Sequence, residues 1–267
     1  IDGKIIMSNL CSEILQVQSP SVINNAQEYE VLGTDISCNL GSTNIVNLMQ
    51  SPDFERSIEV AVRALTFVTD HSSIDAVPTV KNGNQKAHTI GLGAMGLHTF
   101  FALNQMEYGS PESIEVTDLY FRLLNFYTLK ASHKIAKERG VTFDGFEKSA
   151  YASGTYFDAY TESDVEIKSE KVKEIFENLP IPTAEDWKQL KVDVMADGLY
   201  HQNRLAIAPT GSISYVNETS ASLHPITRLI EERQEKKTGK TYYPAPFLSN
   251  ETLPYYKSAY DIDMRKV

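Results

Sequence analysis

"RLAIAPTGSISYV" (204–216) is the stretch that decides the fold class. Its apolar run 205–208 is typical of a short buried strand, and it leads into a Pro-Thr-Gly-Ser turn. The residues after the turn can begin a helix, with the hydroxyls of Thr210, Ser212 and Ser214 and free backbone N–H groups facing outward. Such a helix start is either a simple N-cap or an anion site. The order strand, turn, helix fits an α/β barrel or open sheet, which would use most of the 267 residues.

Helical periodicity fills much of the chain on either side of this stretch. From Asp53 onward, Phe54, Ile58, Val62 and Leu65 recur at three- and four-residue spacing. We predict further helices over about 86–106, 111–139, 168–178 and 183–203. We predict extended segments over 4–16 and 34–48, the second with a break at Gly41-Ser42. The run "EERQEKKTGKTYYPAPF" (231–247) is typical of a solvated hairpin tip followed by an aromatic-proline run. No linker divides the chain, so we expect one domain over residues 1–267.

Composition narrows the function classes. The net charge of −10 argues against a non-specific nucleic-acid binder, and no apolar run approaches the roughly 18 residues of a membrane span. The chain has only two cysteines, Cys11 and Cys38, too few for a disulfide framework. We therefore expect free thiols in a reducing, cytoplasmic compartment. The sequence starts without Met and its last residues carry no stop signal, so we expect a part of a longer polypeptide.

Cys11 lies in an alternating stretch, "MSNLCSEILQ" (7–16). If this stretch is extended, Asn9, Cys11 and Glu13 line one face, because successive side chains of a strand point to opposite sides. A cysteine-protease-like nucleophile would need His88 or His224 as its base, and the sequence excludes neither. A neighbouring carboxylate disfavours the thiolate, however, so hydrogen-atom chemistry suits this cysteine better than nucleophilic attack.

Other motif signals are weak. "GLGAMG" (91–96) matches the G-x-G-x-x-G pattern of dinucleotide-binding proteins, but the upstream "NGNQKAHT" is too polar for the required buried strand. We interpret these glycines as sites of close helix packing. The histidines and cysteines show no metal-ligand spacing, so we expect no metal site. The run "PTGSIS" lacks the G-x-S-x-G nucleophile elbow of a serine hydrolase.

Five segments, in order along the whole chain, resemble the large catalytic subunit of class I ribonucleotide reductase. They are "NLCSE" (9–13), "SCNLGS" (37–42), "GLGAMGL" (91–97), "FEKSAYASG" (146–154) and "LAIAPTGSIS" (205–214). The run "TGKTYYPAPF" (238–247) indicates the Ib branch. The resemblance implies a ten-stranded α/β barrel whose central finger loop carries the radical cysteine. This chain would be part of that barrel, without its N-terminal half and without the C-terminal tail.

The resemblance also implies roles for individual residues. Cys11 would be the thiyl radical that abstracts the ribose 3′-hydrogen, Glu13 the base that takes the 3′-hydroxyl proton, and Asn9 the amide that binds the substrate and assists this step. Cys38 would be one of two cysteines that deliver reducing equivalents and close a disulfide. The substrate-binding residues would be Asn9, Leu10, Cys11, Ser12 and Glu13, together with the diphosphate loop Pro209, Thr210, Gly211, Ser212 and Ile213.

The same resemblance implies the partners. The substrate would be a ribonucleoside diphosphate, the radical would come from a metal-containing small subunit, and the reductant would be thioredoxin- or glutaredoxin-like. The large subunit would be a homodimer, with no cofactor bound by this chain and with nucleotide effectors bound outside it. The partner of Cys38 and the tyrosines that relay the radical would also lie outside, so we expect the isolated segment to be inactive. The alternatives are a cobalamin-dependent class II reductase, which shares N-x-C-x-E, and a silent fragment that only binds nucleotide.

Overall fold

Helices and short strands alternate in the computed structural model, which describes residues 5–72, 75–235, 239–263 and 265. The strands are β1 (Val22–Ile23), β2 (Tyr29–Val31), β3 (Leu40–Asn44), β4 (Gly91–Met95), β5 (Ile230–Glu235) and β6 (Gly239–Pro244). The helices are α1 (Ile45–Met49), α2 (Phe54–His71), α3 (Pro78–Ala87), α4 (Leu97–Leu103), α5 (Pro111–Arg139), α6 (Asp158–Thr161), α7 (Glu170–Phe176), α8 (Ala184–Asp197) and α9 (Gly211–Val216). Short 3₁₀ helices cover Phe146–Lys148, Thr155–Phe157 and Leu253–Tyr255.

A parallel strand arrangement organises the middle of the chain. β3 pairs with β4 in parallel, and Leu92 forms a parallel bridge to Leu205 on its other side. The N–H of Leu92 donates to the carbonyl of Arg204 at 2.8 Å, and the N–H of Ala206 donates to the carbonyl of Leu92 at 3.2 Å. β4 therefore lies between β3 and residues 204–206, here called the Leu205 segment. The predicted α/β class is confirmed at this level.

Two glycines let these strands approach one another. A Cβ at Gly91 would lie 2.6 Å from Leu40 Cδ2 and 2.8 Å from Ala206 Cβ, and a Cβ at Gly93 would lie 2.2 Å from the Ala206 carbonyl oxygen. The predicted helix over 86–106 is therefore wrong, because α3 ends at Ala87 and β4 and α4 follow. The glycines serve close strand packing within β4 rather than helix packing.

The long helices follow their sequence signals. Asp53 caps α2 by accepting a hydrogen bond from the Arg56 N–H at 2.9 Å, and the apolar stripe of α2 is buried as its spacing predicts. α5 begins after Ser110 with a proline at its first position and ends at Gly140, which has φ +63°. α2 and α8 both pack against α5, where Trp187 is almost completely buried. These helices enclose the main hydrophobic core.

Three further predicted segments differ from the structure. Residues 5–16 are not a continuous extended segment, because a turn closes at Ser12, whose φ is +62°. β3 runs through Gly41-Ser42 without a break, and α1 replaces the predicted extension beyond Asn44. The predicted helix over 183–203 ends at Asp197, because Gly198 turns the backbone with φ +83°. Residue 4 lies outside the described residues.

The hairpin predicted near the end of the chain is present. β5 and β6 pair antiparallel, with Ile230 opposite Pro244 and Glu235 opposite Gly239. Its tip, residues 236–238, lies outside the described part of the chain. Over the ranges that the structure describes, no helix combines the length and apolar character that crossing a membrane requires.

Candidate functional site

A tight turn presents Cys11. Asn9 closes this turn twice, since its carbonyl accepts from the Ser12 N–H and its side-chain Oδ1 accepts from the Ile14 N–H, both at 3.0 Å. Leu10 is fully exposed at the tip and Cys11 is exposed beside it. Asn9, Cys11 and Glu13 are therefore grouped by a turn, not by the alternating face of a strand as the sequence suggested.

Cys38 lies against this turn although it is 27 positions further along the chain. Partial burial of the thiol raises its pKa, and Glu13 and Cys11 raise it further, while a hydrogen bond from Asn9 acts in the opposite direction. The net effect is a raised pKa, so the Cys38 thiol keeps its proton at neutral pH. The structure thus brings together the amide, the carboxylate and both thiols.

Glu13 brings an unsatisfied carboxylate oxygen to this group. Its Oε2 atom is buried and has no hydrogen-bond partner among the residues described. A buried polar atom without a partner is costly and is commonly satisfied by a ligand or by water. Glu13 is therefore available to accept a proton or a hydrogen bond from a bound molecule.

The segment after the turn is docked on the parallel strands. Ile14 is buried, and its Cδ1 lies 3.3 Å from where a Cβ of Gly91 would be. The Asn203 side chain donates to the carbonyl of Leu15 at 3.3 Å, and the buried Gln16 side chain donates to the carbonyl of Ser37 at 2.8 Å. Sequence reasoning missed Gln16, because nothing local in the sequence marks a buried glutamine that bonds to a distant backbone.

The loop Pro209–Ile213 leads into α9. The Thr210 hydroxyl accepts a hydrogen bond from the Ser222 N–H at 2.6 Å and does not cap the helix. Gly211, Ser212 and Ile213 are exposed, and the first-turn N–H groups have no partner within a helix. The simple N-cap reading is therefore wrong for Thr210, and an anion at these N–H groups stays a prediction.

The two groups of predicted site residues start at opposite ends of the strands. Cys38 precedes the amino end of β3, whereas the Pro209–Ile213 loop follows the Leu205 segment at its carboxyl end. No hydrogen bond or ion pair joins the two groups in the part of the chain that the structure describes. A ligand that contacts both would have to span this separation.

The histidines considered as bases for Cys11 are engaged elsewhere. His88 stacks on Tyr200 with ring centroids 4.1 Å apart, and its Nδ1 lies 3.3 Å from an Asp70 oxygen. Burial lowers the pKa of His88. His224 Nδ1 lies 3.1 Å from the carbonyl oxygen of Pro225. These contacts give no support to a cysteine-protease-like pair.

A search of the described residues finds no group of three or more His, Cys, Asp or Glu side chains that could hold a metal ion. A cavity of about 600 Å³ lies between α9 and the β5–β6 hairpin. It is lined in part by Ser214, Tyr215 and Glu218, and it contains none of the predicted site residues. The candidate site is therefore the turn and Cys38, with the α9 loop as a second, separate element.

Comparison with known families gives the decisive observation. A sequence model described as "Ribonucleotide reductase, barrel domain" matches residues 1–267. The chain belongs to the ribonucleotide reductase family. The resemblance seen in the sequence is thereby confirmed, although the match does not distinguish class Ib from other classes.

This reductase chain has named relatives. It is 47% identical over 265 residues to the ribonucleoside-diphosphate reductase subunit alpha of Bacillus subtilis, which covers 99% of this chain and 38% of the relative. The subunit alpha of Mycoplasma pneumoniae is 41% identical over 267 residues, 97% of this chain and 37% of the relative. The subunit alpha of Helicobacter pylori is 31% identical over 235 residues, which cover 87% of this chain and 28% of the relative. The chain therefore spans less than two fifths of the length of these relatives.

Proposed function

We propose that this chain is the barrel segment of a class Ib ribonucleoside-diphosphate reductase alpha subunit, which converts ribonucleoside diphosphates to deoxyribonucleoside diphosphates. The observation that carries the proposal is the hydrogen bond between the Cys38 thiol and Asn9, with Cys11 and Glu13 near enough to raise the pKa of that thiol. Two thiols, a carboxylate with a free oxygen and an amide are the groups that radical reduction of a ribose needs. The names of the relatives supply the substrate class.

In the proposed reaction, a thiyl radical at Cys11 takes the 3′-hydrogen atom of the ribose, which restores the Cys11 thiol and leaves a radical on the 3′-carbon. Glu13 accepts the 3′-hydroxyl proton through its unpartnered oxygen, and Asn9 orients that hydroxyl. The 2′-hydroxyl takes one proton from the thiol pair and leaves as water. Cys38 and a second thiol from outside this chain supply two electrons and two protons and become a disulfide. Glu13 returns its proton to the 3′-oxygen, and Cys11 returns a hydrogen atom to the 3′-carbon and becomes a thiyl radical again.

Substrate binding in this proposal uses both elements of the site. Residues Asn9, Leu10, Cys11, Ser12 and Glu13 surround the ribose, and residues Pro209, Thr210, Gly211, Ser212 and Ile213 hold the diphosphate. The exposed N–H groups at the start of α9 support this second role, because oxyanions bind well to such groups. The bond from Ser222 to Thr210 keeps the loop in place.

The rest of the proposal concerns the whole protein. The complete barrel would have ten strands, and the Cys11 turn would be the tip of its finger loop. A metal-containing small subunit would supply the radical, a thioredoxin- or glutaredoxin-like protein would reduce the disulfide, and two alpha subunits would form a homodimer in the cytoplasm. Effector nucleotides would bind outside this segment. No specific observation favours the class II reductase or a silent fragment.

The test is Cys11→Ser in a longer protein, made by placing this chain in the matching segment of the Bacillus subtilis relative. We expect nucleotide reduction to be abolished and diphosphate binding to stay within about tenfold, or about 1.4 kcal/mol, because serine keeps a side chain of similar size at this position but cannot supply the radical. Leu15→Ala, at an exposed position just after the turn, is the control and should retain turnover. Turnover of Cys11→Ser above a few percent of the parent would show that the assignment is wrong.

A further inference from the structure

The placement of Cys38 depends on its neighbours. Cys38 lies in an irregular stretch, residues 35–39, between the bridge at Thr34 and the start of β3. Its thiol nevertheless forms a hydrogen bond with Asn9 and lies near Cys11 and Glu13 on a separate segment. The residues immediately before and after Cys38 must therefore be held in a defined position.

Gln16 holds the residue before Cys38. Its side chain is 4% exposed, and its amide nitrogen donates to the carbonyl of Ser37 at 2.8 Å. Gln16 is three positions after Glu13, on the segment that continues from the Cys11 turn. This bond thus connects the segment carrying Cys11 and Glu13 directly to the segment carrying Cys38. Because the amide is buried, water competes little for the bond.

Asn39 holds the residue after Cys38. Its side chain is buried, and its amide nitrogen lies 2.8 Å from Thr69 Oγ1 on α2 and 2.9 Å from Ser37 Oγ. Its carbonyl accepts from the N–H of Gly91 at 2.9 Å. Asn39 therefore fixes one side of the Cys38 segment to the helices and to β4, and Gln16 links the other side to the segment that follows the turn.

We propose that Gln16 is a positioning residue that holds the Cys38 thiol, through the Ser37 carbonyl, against Asn9, Cys11 and Glu13. Its importance for turnover rests on the proposed reductase function, but the positioning itself does not. A purely structural Gln16 would fill the core without affecting how Glu13 acts on Cys38. The coupling between Glu13 and Cys38 therefore distinguishes the two roles.

The experiment uses the 267-residue chain in a Cys11→Ser background, where Cys38 is the only thiol. The rate of Cys38 alkylation by iodoacetamide is measured against pH. Glu13 and Cys11 are the titratable groups that act on Cys38, so Glu13→Gln should increase the rate at pH 8, by a factor of about 1.4 to 5 for a partly exposed charge interaction. We expect this factor to fall to about 1 when Gln16→Leu is also present.

Gln18→Leu is the matched control. Gln18 is the same residue type on the same segment, 5% exposed, and its Oε1 accepts from the N–H groups of Ile6 and Met7 rather than reaching Ser37. The Glu13 effect should survive in Gln18→Leu. If circular dichroism shows that Gln16→Leu is unfolded, Gln16→Asn, which is one methylene shorter, replaces it.

Loss of the Glu13 effect in the Gln16 variants alone supports the proposal. An undiminished Glu13 effect in those variants overturns it, and so does an equal loss in Gln18→Leu. The measurement needs no turnover, so it is separate from the test of the proposed function. If the Cys11→Ser variant still reduced nucleotides, the proposed function would be wrong. The alkylation result for Gln16 would still stand.

Discussion

Acidification should weaken the two hydrogen bonds by which His98 holds the backbone of Ile226 and Tyr255. His98 is completely buried, and its Nδ1 accepts from the N–H of Ile226 at 2.9 Å. Nε2 must then carry the proton, which is donated to the carbonyl oxygen of Tyr255 at 3.0 Å. Only the neutral ring makes both bonds, since protonated Nδ1 would face another N–H group.

The size of the effect follows from the pKa. Burial lowers the pKa of His98 to about 4, against about 6.5 in an unfolded chain. Because the folded-state pKa is depressed, the stabilisation is complete above about pH 6.5 and is lost as the pH falls towards 4. The difference between these two values corresponds to about 3 kcal/mol of unfolding free energy.

Urea unfolding of the parent and of His98→Gln at several pH values between 4 and 7 measures this contribution. His98→Gln should be less stable at pH 7, and its stability should fall by about 3 kcal/mol less than that of the parent on acidification. Tyr256→Phe is the control, because it removes a hydrogen bond to Pro246 in the same cluster but keeps His98, so its pH dependence should parallel the parent. Parallel curves for the parent and His98→Gln would refute the reasoning.

Three further predictions follow from the strands, the loop and the thiols. Gly93→Ala should lower the free energy of unfolding by about 1–3 kcal/mol, because its Cβ would lie 2.2 Å from the Ala206 carbonyl oxygen. Gly211→Ala has open space around its Cβ and should leave the free energy of unfolding unchanged. Urea unfolding measures both variants. Ser212→Pro removes an N–H from the start of α9 and should weaken nucleoside diphosphate binding about 10- to 100-fold in calorimetry, whereas Ser212→Ala keeps this N–H; equal affinities would exclude the diphosphate role. A thiol count under denaturing, non-reducing conditions should find two free thiols, consistent with the unpaired Cys11 and Cys38; a disulfide between them would mean that their redox roles are misassigned.

The long helices could be predicted from the sequence, whereas the central strand β4 could not. The spacing of Phe54, Ile58 and Val62 is enough to predict α2, because a surface helix needs only one apolar face. β4 is buried at every position and consists of Gly-Leu-Gly-Ala-Met, so it shows no alternation to indicate a strand. Position 93 is a glycine because a Cβ there would collide with the carbonyl oxygen of Ala206. Ala206 is distant in the sequence, so no local sequence pattern reveals this contact.

The candidate site, too, could be predicted from the sequence only in part. The grouping of Asn9, Cys11 and Glu13 was expected, but the alternating pattern suggested a strand where Ser12, with positive φ, forms a turn. The position of Cys38 beside them came only from the family resemblance, because contacts across 27 positions leave no periodicity. The end of α8 could have been found, since Gly198 is a common helix stop.

The central position of β4 has a consequence for the order of folding. Leu92 pairs with Gly41 on one side and with Leu205 on the other, so its two partners are separated from it by about 50 and about 110 residues of chain. Closing such long loops costs entropy before any strand contact compensates for it, and the loop to the Leu205 segment is about twice as long as the loop to Gly41. We therefore expect β3 and β4 to pair before the Leu205 segment joins them. Since Ile14 and Asn39 both contact Gly91 of β4, we expect the two thiols to meet only once this strand is in place, and until then the Cys38 thiol reacts as it does in the unfolded chain.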